Sequence, residues 1–227
     1  SQHGDGFLTH HTETQPVKEH KVVQHLQLLA VGRTAEIYAW GDDQILKLFR
    51  SSASASQADY EATLTSKLGQ LGLPMPAVYG VTDVRGRYGI LFERLEGPTM
   101  LAELQRRPWS LPRLARLMAQ LHTNIHQHSL EDLPPLVDYV ERAIERTSLS
   151  RPQKQELVNK LHALPEGNII CHQDFHPDNI LLTKRGPVVL DWPTARRGHP
   201  HADVARTYLL LKVAAPLPGT ARQWLLE

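Results

Sequence analysis

Three polar side chains in the C-terminal half have the types and the spacing that phosphoryl transfer needs. Asp174 is followed five residues later by Asn179, and Asp191 lies twelve residues beyond that. The flanking segments are apolar and β-prone, which predicts that these polar groups lie at the ends of buried strands. When a phosphoryl group leaves a nucleotide, a carboxylate orients the attacking hydroxyl and accepts its proton, and two oxygen ligands hold magnesium at the phosphates. The pattern favours Asp174 as the catalytic base and Asn179 and Asp191 as ligands of Mg2+.

Each of these residues also has a purely structural interpretation. Asp174 can cap its own loop, Asn179 can cap a β-turn, and Asp191 can be a surface acid that follows a strand. All three occur at this mutual spacing, with His172 two residues before Asp174. The combination favours chemistry over capping.

A lysine and a glutamate nearer the N-terminus form a second candidate pair. Lys47 lies in the middle of a predicted strand, where alternation places it on the same face as Ile45 and Phe49. An ammonium group among apolar neighbours costs free energy unless it is paired. Glu61 on the following predicted helix is the expected partner, although Asp59 lies close to it in the sequence. The alternative is an exposed lysine at a sheet edge and a solvated glutamate.

Apolar periodicity divides the chain into a strand-rich part and a helix-rich part. Residues 1–20 are polar and lack either period, which predicts an N-terminal tail without regular structure. The next part favours strands at 22–31, 36–40, 44–49, 77–82 and 88–93, with one helix at 54–68. The remainder favours helices at 99–106, 111–126, 136–146, 152–164 and 201–213, with a hairpin turn at 183–187.

The motifs around these residues resemble those of one known family. Residues 172–179 have the sequence His-Gln-Asp-Phe-His-Pro-Asp-Asn, Asp191 precedes Trp192, and residues 198–205 have the sequence Gly-His-Pro-His-Ala-Asp-Val-Ala. In this combination the chain resembles the aminoglycoside phosphotransferase and choline kinase family, which is the small-molecule branch of the protein-kinase-like fold. The resemblance extends over residues 28–211, most of the chain.

This resemblance implies a two-lobed α+β fold of the protein-kinase-like type. An antiparallel five-stranded sheet is expected in a nucleotide-binding N-lobe at 21–96. A mostly helical C-lobe is expected at 97–227, with a catalytic loop at 170–182 and the metal-binding Asp191. The polar tail at 1–20 precedes both lobes.

The resemblance also implies how ATP is held. Lys47 paired with Glu61 corresponds to the pair that holds the α- and β-phosphates. The backbone of a phosphate loop and of the inter-lobe linker should supply the remaining contacts. The residues implied are Gly32, Arg33, Thr34 and Ala35 for the phosphates, and the carbonyl of Glu93 and the amide of Leu95 for the adenine edge.

Two positions depart from the family pattern, and two others have supporting roles. The phosphate loop contains one glycine, Gly32, where protein kinases have three. Asp178 stands where the family more often has glycine, so it is expected either to adopt left-handed backbone geometry or to add charge near a cationic substrate. His172 and Asp203 are expected to brace the catalytic loop, and the role of His176 is left open between substrate contact and loop shape.

The sequence gives only weak evidence of a chemical role for the other reactive side chains, two histidines and one cysteine. His122 and His126 are four residues apart on a predicted helix and could bind zinc, but no third ligand is evident in the sequence, so helix packing is favoured. Cys171 has apolar flanks, which predicts a buried residue rather than a nucleophile.

Composition excludes several classes of function. The chain has 25 basic and 24 acidic side chains, so no excess of charge attracts it to nucleic acid or to an anionic membrane. No apolar run approaches the ~18–20 residues of a membrane span. One cysteine allows no internal disulfide, and the N-terminus has no signal-peptide pattern, so a cytoplasmic location is expected. The oligomeric state is left open.

Two functional hypotheses follow, from different classes. The first is an ATP- and Mg2+-dependent phosphotransferase that acts on the hydroxyl of a small molecule, either aminoglycoside-like, choline-like, a sugar or an amino alcohol. The second is a non-catalytic, kinase-like nucleotide-binding module with a regulatory role. A protein-serine kinase is disfavoured because the segment after Asp191 lacks an Ala-Pro-Glu element. Acidic residues at 131–145 suit a cationic acceptor or a solvated helix face equally well.

Overall fold

A computed structural model of the chain describes residues 26–32, 34–50 and 54–213. Within these residues the architecture is α+β. One five-stranded antiparallel sheet with a helix packed on it adjoins a part that consists mainly of helices, into which two short β-ladders are set.

The sheet has the strand order β1-β2-β3-β5-β4, and every neighbouring pair is antiparallel. Its strands are β1 at Leu28–Val31, β2 at Ala35–Trp40, β3 at Gln44–Phe49, β4 at Val78–Val84 and β5 at Arg87–Glu93. The central strand is β3, where Lys47 is opposite Ile37 on one side and Ile90 on the other. Lys47 therefore lies in the middle of the sheet and not at an edge.

Helix α1, Ala55–Gln70, connects β3 to β4 and packs on β4 and β5. Ser54 caps its first turn, because the Ser54 hydroxyl accepts a hydrogen bond from the backbone N–H of Gln57. The helix buries Ala58, Ala62 and one acidic residue, Glu61, against the sheet. The connection thus brings Glu61 under the strand that carries Lys47.

The helical part contains α2 to α6 in chain order. These helices are α2 at Met100–Arg106, α3 at Leu111–Ile125, α4 at Leu136–Glu145, α5 at Arg151–His162 and α6 at Pro200–Val213. Leu114, Leu121 and Ile125 lie on one face of α3, as the period of 3.6 predicts, and they are buried in the core together with Phe175 and Trp192. Phe175 and Trp192 neighbour Asp174 and Asp191 in the sequence, so this core supports the predicted site.

Two short ladders hold the polar segments of interest. Strand β6, Ile169–Cys171, pairs with β9, Arg196–Gly198. Strand β7, Ile180–Thr183, pairs with β8, Gly186–Val189, through a hairpin at the predicted turn. A single 3₁₀ turn at Pro177–Asn179 leads into β7. The loop that carries Asp174 therefore begins at the end of β6, and Asp191 follows β8.

The predicted α+β class is confirmed, and the predicted elements occur with ends shifted by a few residues. Of the first predicted strand, 22–31, the structure shows Leu28–Val31, and 22–25 lie outside the described residues, as does the 1–20 tail. Strand β9 was not predicted from the sequence. The exact limits of the two lobes, at 96 and 97, stay a prediction.

Candidate active site

Asp174 and Asn179 lie side by side in the loop between β6 and β7. The Asn179 side-chain amide donates one hydrogen bond to the backbone carbonyl of Asp174, at 2.9 Å, and another to its carboxylate Oδ2, at 3.2 Å. The carboxylate of Asp174 is partly exposed. The amide nitrogen of Asn179 faces Asp174, which leaves the amide oxygen as the end of the side chain available to another ligand.

The charge of Asp174 is stabilised by its surroundings. His176 is the largest cause of a lowered pKa at Asp174, with Nε2 3.7 Å from Oδ2; burial acts in the opposite direction, and His172 and Asn179 add to the lowering. The ring of His176 also accepts a hydrogen bond at Nδ1 from the Asp178 N–H. Asp174 is therefore a carboxylate at neutral pH, able to accept a hydrogen bond from a hydroxyl group.

Lys47 and Asp191 meet although 144 positions separate them in the chain. The ammonium of Lys47 donates to Glu61 Oε1 at 2.6 Å and to Asp191 Oδ1 at 3.0 Å. The Glu61 side chain is 5% exposed and that of Asp191 is 42% exposed. One cation from the central strand of the sheet thus joins a buried carboxylate to a carboxylate that faces solvent.

The ionisation of this trio follows from burial and charge. Burial alone would lower the pKa of Lys47, but the negative charges of Glu61 and Asp191 outweigh it and hold the pKa above its ordinary value. Burial raises the pKa of Glu61, while the nearby Lys47 opposes this effect. Lys47 is therefore a firmly charged ammonium.

The backbone at Asp191 adopts an unusual conformation. Its φ is +63°, in the left-handed region that most residues avoid. Strained conformations of this kind persist where the surrounding structure fixes them, and they cluster at functional sites. The preceding residue is fixed by a hydrogen bond from the Leu190 N–H to the Asn179 carbonyl, at 2.9 Å. The same hydrogen bond brings together the start of β7, which Asn179 precedes, and the end of β8, which Asp191 follows.

Asp203, at the start of α6, holds the loop that carries Asp174. Its carboxylate accepts the backbone N–H groups of His172, at 2.9 Å, and of Gln173, at 2.8 Å. Gln173 has a φ of +66°. Burial would raise the pKa of Asp203, but hydrogen bonds from His122, His126 and the Gln173 backbone outweigh burial and keep the pKa below its usual range. A buried, charged carboxylate therefore fixes the residue that precedes Asp174.

His172 braces the loop from within the core as a neutral imidazole. Its Nδ1 accepts the N–H of Asp174, at 3.2 Å, and its Nε2–H donates to the Leu190 carbonyl, at 3.0 Å. Complete burial lowers the pKa of His172 despite the negative charge of Asp203. One side chain thus links the segment that holds Asp174 to the segment that holds Asp191.

Of the predicted phosphate loop, the structure describes Gly32, Thr34 and Ala35. The Gly32 N–H donates to the Ala35 carbonyl at 2.8 Å, and the Arg50 side chain donates to the Gly32 carbonyl. Thr34 is exposed and Ala35 is buried at the start of β2. Arg33 lies outside the described residues.

The predicted linker begins at the end of β5. The Glu93 carboxylate accepts the Ala77 N–H at 3.1 Å and a hydrogen bond from Arg185 at 2.7 Å. Arg185 also donates to the Met75 carbonyl, so it ties the β7–β8 hairpin to the sheet. Sequence reasoning missed Arg185, because an arginine in a hairpin turn carries no signal of its distant partner. Leu95 is half-buried.

For Asp178 the structure excludes one of the two alternatives, left-handed backbone geometry. The residue lies instead in the 3₁₀ turn Pro177–Asn179. Its carboxylate accepts the hydroxyl hydrogen of Thr99 at 2.9 Å, and the same hydroxyl caps α2 by accepting the Ala102 N–H. Asp178 therefore ties the catalytic loop to the start of α2.

The acidic residues expected at 131–145 are partly engaged with surface cations. Asp132 pairs with Lys67, Glu141 contacts His162, and Lys154 lies beside Glu145. These contacts favour a solvated, ion-paired surface for this segment.

Cys171 is buried, as the sequence predicted, and burial together with the charge of Asp203 raises the pKa of its thiol to about 12. A thiol of this kind is a poor nucleophile.

The comparisons with known proteins identify the family. Residues 25–225 match the model of the phosphotransferase enzyme family, so the chain belongs to that family, as the resemblance predicted. The comparison with curated proteins gave no match. In the part of the chain that the structure describes, no helix combines the length and apolar character needed to cross a membrane.

Solved structures of aminoglycoside phosphotransferases share the fold. A thermostable mutant of aminoglycoside phosphotransferase APH(4)-Ia, in a ternary complex with ADP and hygromycin B, gives a TM-score of 0.61 at 19% identity and covers 89% of this chain and 76% of that chain. Aminoglycoside-3'-phosphotransferase of type VIII gives 0.61 at 21% identity, over 88% and 84%. The streptomycin-ATP-APH(2")-IIa ternary complex gives 0.53 at 15% identity, over 83% and 71%. The protein-kinase-like fold is therefore confirmed.

Proposed function

We propose that the protein transfers the γ-phosphoryl group of ATP to a hydroxyl of a small molecule. The observation that carries this proposal is the contact of Lys47 with both Glu61 and Asp191, because it unites the sheet with the segment after β8 at the place where nucleotide phosphates would be bound. The streptomycin-ATP-APH(2")-IIa complex contains ATP, which supports ATP as the donor here.

In this proposal Asp174 orients the acceptor hydroxyl and accepts its proton as the phosphoryl group is transferred. A carboxylate with a lowered pKa suits this role, because in a loose transition state the hydroxyl loses its proton late and needs orientation more than a strong base. Asn179 holds Asp174 in place, because its amide donates one hydrogen bond to the Asp174 backbone carbonyl and one to the carboxylate. Lys47 neutralises charge on the α- and β-phosphates, and Glu61 keeps its ammonium in position.

The residues present fit a magnesium ion. The amide oxygen of Asn179 and the exposed carboxylate of Asp191 are hard oxygen ligands. Asn179 precedes β7 and Asp191 follows β8, and a hydrogen bond from the Leu190 N–H to the Asn179 carbonyl joins the two segments. A magnesium ion held by them supplies positive charge to the phosphate oxygens. The strained backbone of Asp191 is a further observation that supports a ligand role.

The adenine and phosphate contacts belong to the same proposal. The backbone from Gly32 to Ala35 faces the phosphates, and the Glu93 carbonyl and the Leu95 amide meet the adenine edge. For the acceptor, hygromycin B and streptomycin in the complexes named above support an aminoglycoside-like alcohol as one class to test. The reduced, buried Cys171 and the use of ATP fit a cytoplasmic protein.

The decisive experiment measures ADP release from Mg·ATP with a panel of aminoglycosides, choline-like alcohols, sugars and amino alcohols. We expect at least one acceptor to stimulate turnover, and Asp174→Asn to lower that turnover about 10²–10⁴-fold while nucleotide binding persists. Asp178→Asn is the matched control, because it changes a carboxylate of the same loop that is engaged with Thr99. Binding of Mg·ATP without turnover for any acceptor would favour the non-catalytic module instead.

A further inference from the structure

Two histidines at the C-terminal end of α3 meet Asp203, which holds the catalytic loop, at one point outside the proposed ATP site. His122 lies in the last turn of α3, and His126 is the C-terminal cap of that helix. The Nε2 atom of each lies 3.0 Å from the same oxygen, Oδ2, of Asp203 on α6. The ring centroids of the two histidines are 4.2 Å apart. The sequence showed the histidine pair without a third ligand, and the fold supplies that ligand.

From this convergence, we propose that His122, His126 and Asp203 form a site for a divalent transition-metal ion, with Zn2+ as the ion that the ligand set suits. Two imidazole nitrogens and one carboxylate oxygen are ligands that zinc commonly takes, with bonds of about 2.0–2.2 Å. In a tetrahedral site such bonds place neighbouring ligand atoms about 3.3 Å apart. The three atoms lie within 4.8 Å of one another, so small side-chain movements suffice.

The hydrogen bonds at Asp203 provide a second argument. Oδ2 faces three nitrogen atoms, namely the backbone N of His172 at 2.9 Å and the two histidine Nε2 atoms. Oδ1 accepts both the backbone N–H and the side-chain amide of Gln173. If both rings carry their hydrogen on Nε2, five donors face the roughly four lone-pair positions of this carboxylate. When each ring instead carries its hydrogen on Nδ1, the two Nε2 lone pairs and Oδ2 can bind a single cation together, and the excess of donors is removed.

The position of the site is compatible with entry of an ion from solvent. The side chains of His122 and His126 are 10% and 12% exposed, whereas that of Asp203 is fully buried. An ion would therefore enter from the side of α3, and a water molecule would be its remaining ligand. Because Asp203 also holds the N–H groups of His172 and Gln173, a bound ion would connect α3 and α6 to the loop that carries Asp174.

The experiment uses the full chain, stripped of metal, without nucleotide, and titrates it with Zn2+ against a chromogenic chelator. We expect His126→Asn to lose about one bound ion and to weaken that site more than about 100-fold, since even loss of an outer-shell partner costs about 10–100-fold in affinity. His199 and His201 provide the matched control, because their rings are 4.7 Å apart but share no carboxylate ligand among the residues that the structure describes. The double variant His199→Asn/His201→Asn should retain the site.

Two further measurements keep the outcome clear. Asp191→Asn should also retain the ion. If this variant loses the ion and His126→Asn keeps it, the zinc belongs to the proposed magnesium site and this inference is overturned. X-ray absorption of the Zn2+-loaded wild-type protein should show two imidazoles in the coordination shell, a result that needs no variant to fold. Equal Zn2+ binding in wild type and His126→Asn, or a shell without two imidazoles, would mean that the cluster is only a hydrogen-bonded brace.

Discussion

At the scale of single residues, Lys47 has two separable roles. It neutralises a glutamate whose side chain is almost fully buried, and it is the cation proposed to hold the phosphates. We expect Lys47→Met to lower the free energy of unfolding by about 3–5 kcal/mol, because it leaves Glu61 buried without a partner. The same variant should lower ATP turnover about 10–100-fold, which corresponds to one charge-assisted hydrogen bond. Chemical denaturation and the ADP-release assay measure the two effects.

The double variant Lys47→Met/Glu61→Gln separates stability from turnover. Removal of the buried charge should restore most of the lost stability, whereas turnover should stay low. Lys67→Met is the matched control, because Lys67 pairs with Asp132 at the surface, where solvent screens the charges. If the double variant regains activity together with stability, Lys47 acts only through folding.

His172 predicts a dependence of stability on pH. Its pKa is lowered by burial, so between that value and the ordinary value of 6.5 the unfolded chain binds a proton that the folded chain does not. Stability should therefore be complete above about pH 6.5 and fall as the pH drops below it, by at most about 1.4 kcal/mol per pH unit.

The measurement is the free energy of unfolding between pH 5 and pH 7.5, for the wild type and for His172→Asn. The difference between the two proteins removes the contribution of the other titrating groups. The variant should be less stable at neutral pH but should lose less stability on acidification. Parallel curves would show that His172 can be protonated in the folded protein.

At the scale of elements, Gly97 marks the passage from the sheet to α2. Its φ is +151°, and an added Cβ would lie 2.1 Å from the Leu182 carbonyl oxygen. We expect Gly97→Ala to lower the free energy of unfolding by at least about 1–3 kcal/mol, because both the backbone and the close approach exclude a side chain. Gly69→Ala, inside α1 with only ordinary contacts to Met75, should instead raise stability by about 0.5–1 kcal/mol. Thermal and denaturant unfolding distinguish the two outcomes.

The elements that the sequence predicted well are those with a clear apolar period. The alternation around Lys47 predicts β3 without error, and the stripe on α3 predicts both its length and its buried face. Strand β9, Arg196–Gly198, has no such period. Its two arginine side chains donate to backbone carbonyls, and its strand character comes from pairing with β6. Short strands made by a tertiary partner are therefore invisible to local pattern.

In the candidate site, too, contacts within one segment of the chain were predictable from the sequence, whereas contacts between distant segments were not. The mutual positions of Asp174, Asn179 and Asp191 follow from one loop and one hairpin, so their spacing in the sequence was sufficient. The partners of Asp178 and of His126 come from other elements, and no local pattern indicates that Thr99 or Asp203 lies beside them. Sequence reasoning accordingly kept left-handed geometry as one of two alternatives for Asp178, which the structure excludes, and found no third ligand for the histidine pair.

At the scale of the whole molecule, polar contacts around the proposed nucleotide site join the sheet to the helical part. Lys47 joins β3 to Asp191, and Arg185 joins the β7–β8 hairpin to Glu93 at the end of β5. A nucleotide bound between these parts would contact both and would bind only the folded protein, so it should stabilise the fold by an amount that grows with the ratio of its free concentration to its Kd.

This linkage predicts a shift of the melting temperature that requires magnesium. A non-hydrolysable ATP analogue with Mg2+, at about 100 times its dissociation constant, should stabilise the protein by about 2.7 kcal/mol, which corresponds to about 5–10 °C for a chain of this length. Asp191→Asn should lose the part of the shift that depends on Mg2+, because the variant removes one of the two proposed oxygen ligands but leaves Lys47 in place. Differential scanning calorimetry with and without Mg2+ measures both quantities. An equal shift in the presence and absence of Mg2+ in the wild type would show that Asn179 and Asp191 hold no metal with the nucleotide, and the proposed transfer would then lose its charge-neutralising ion.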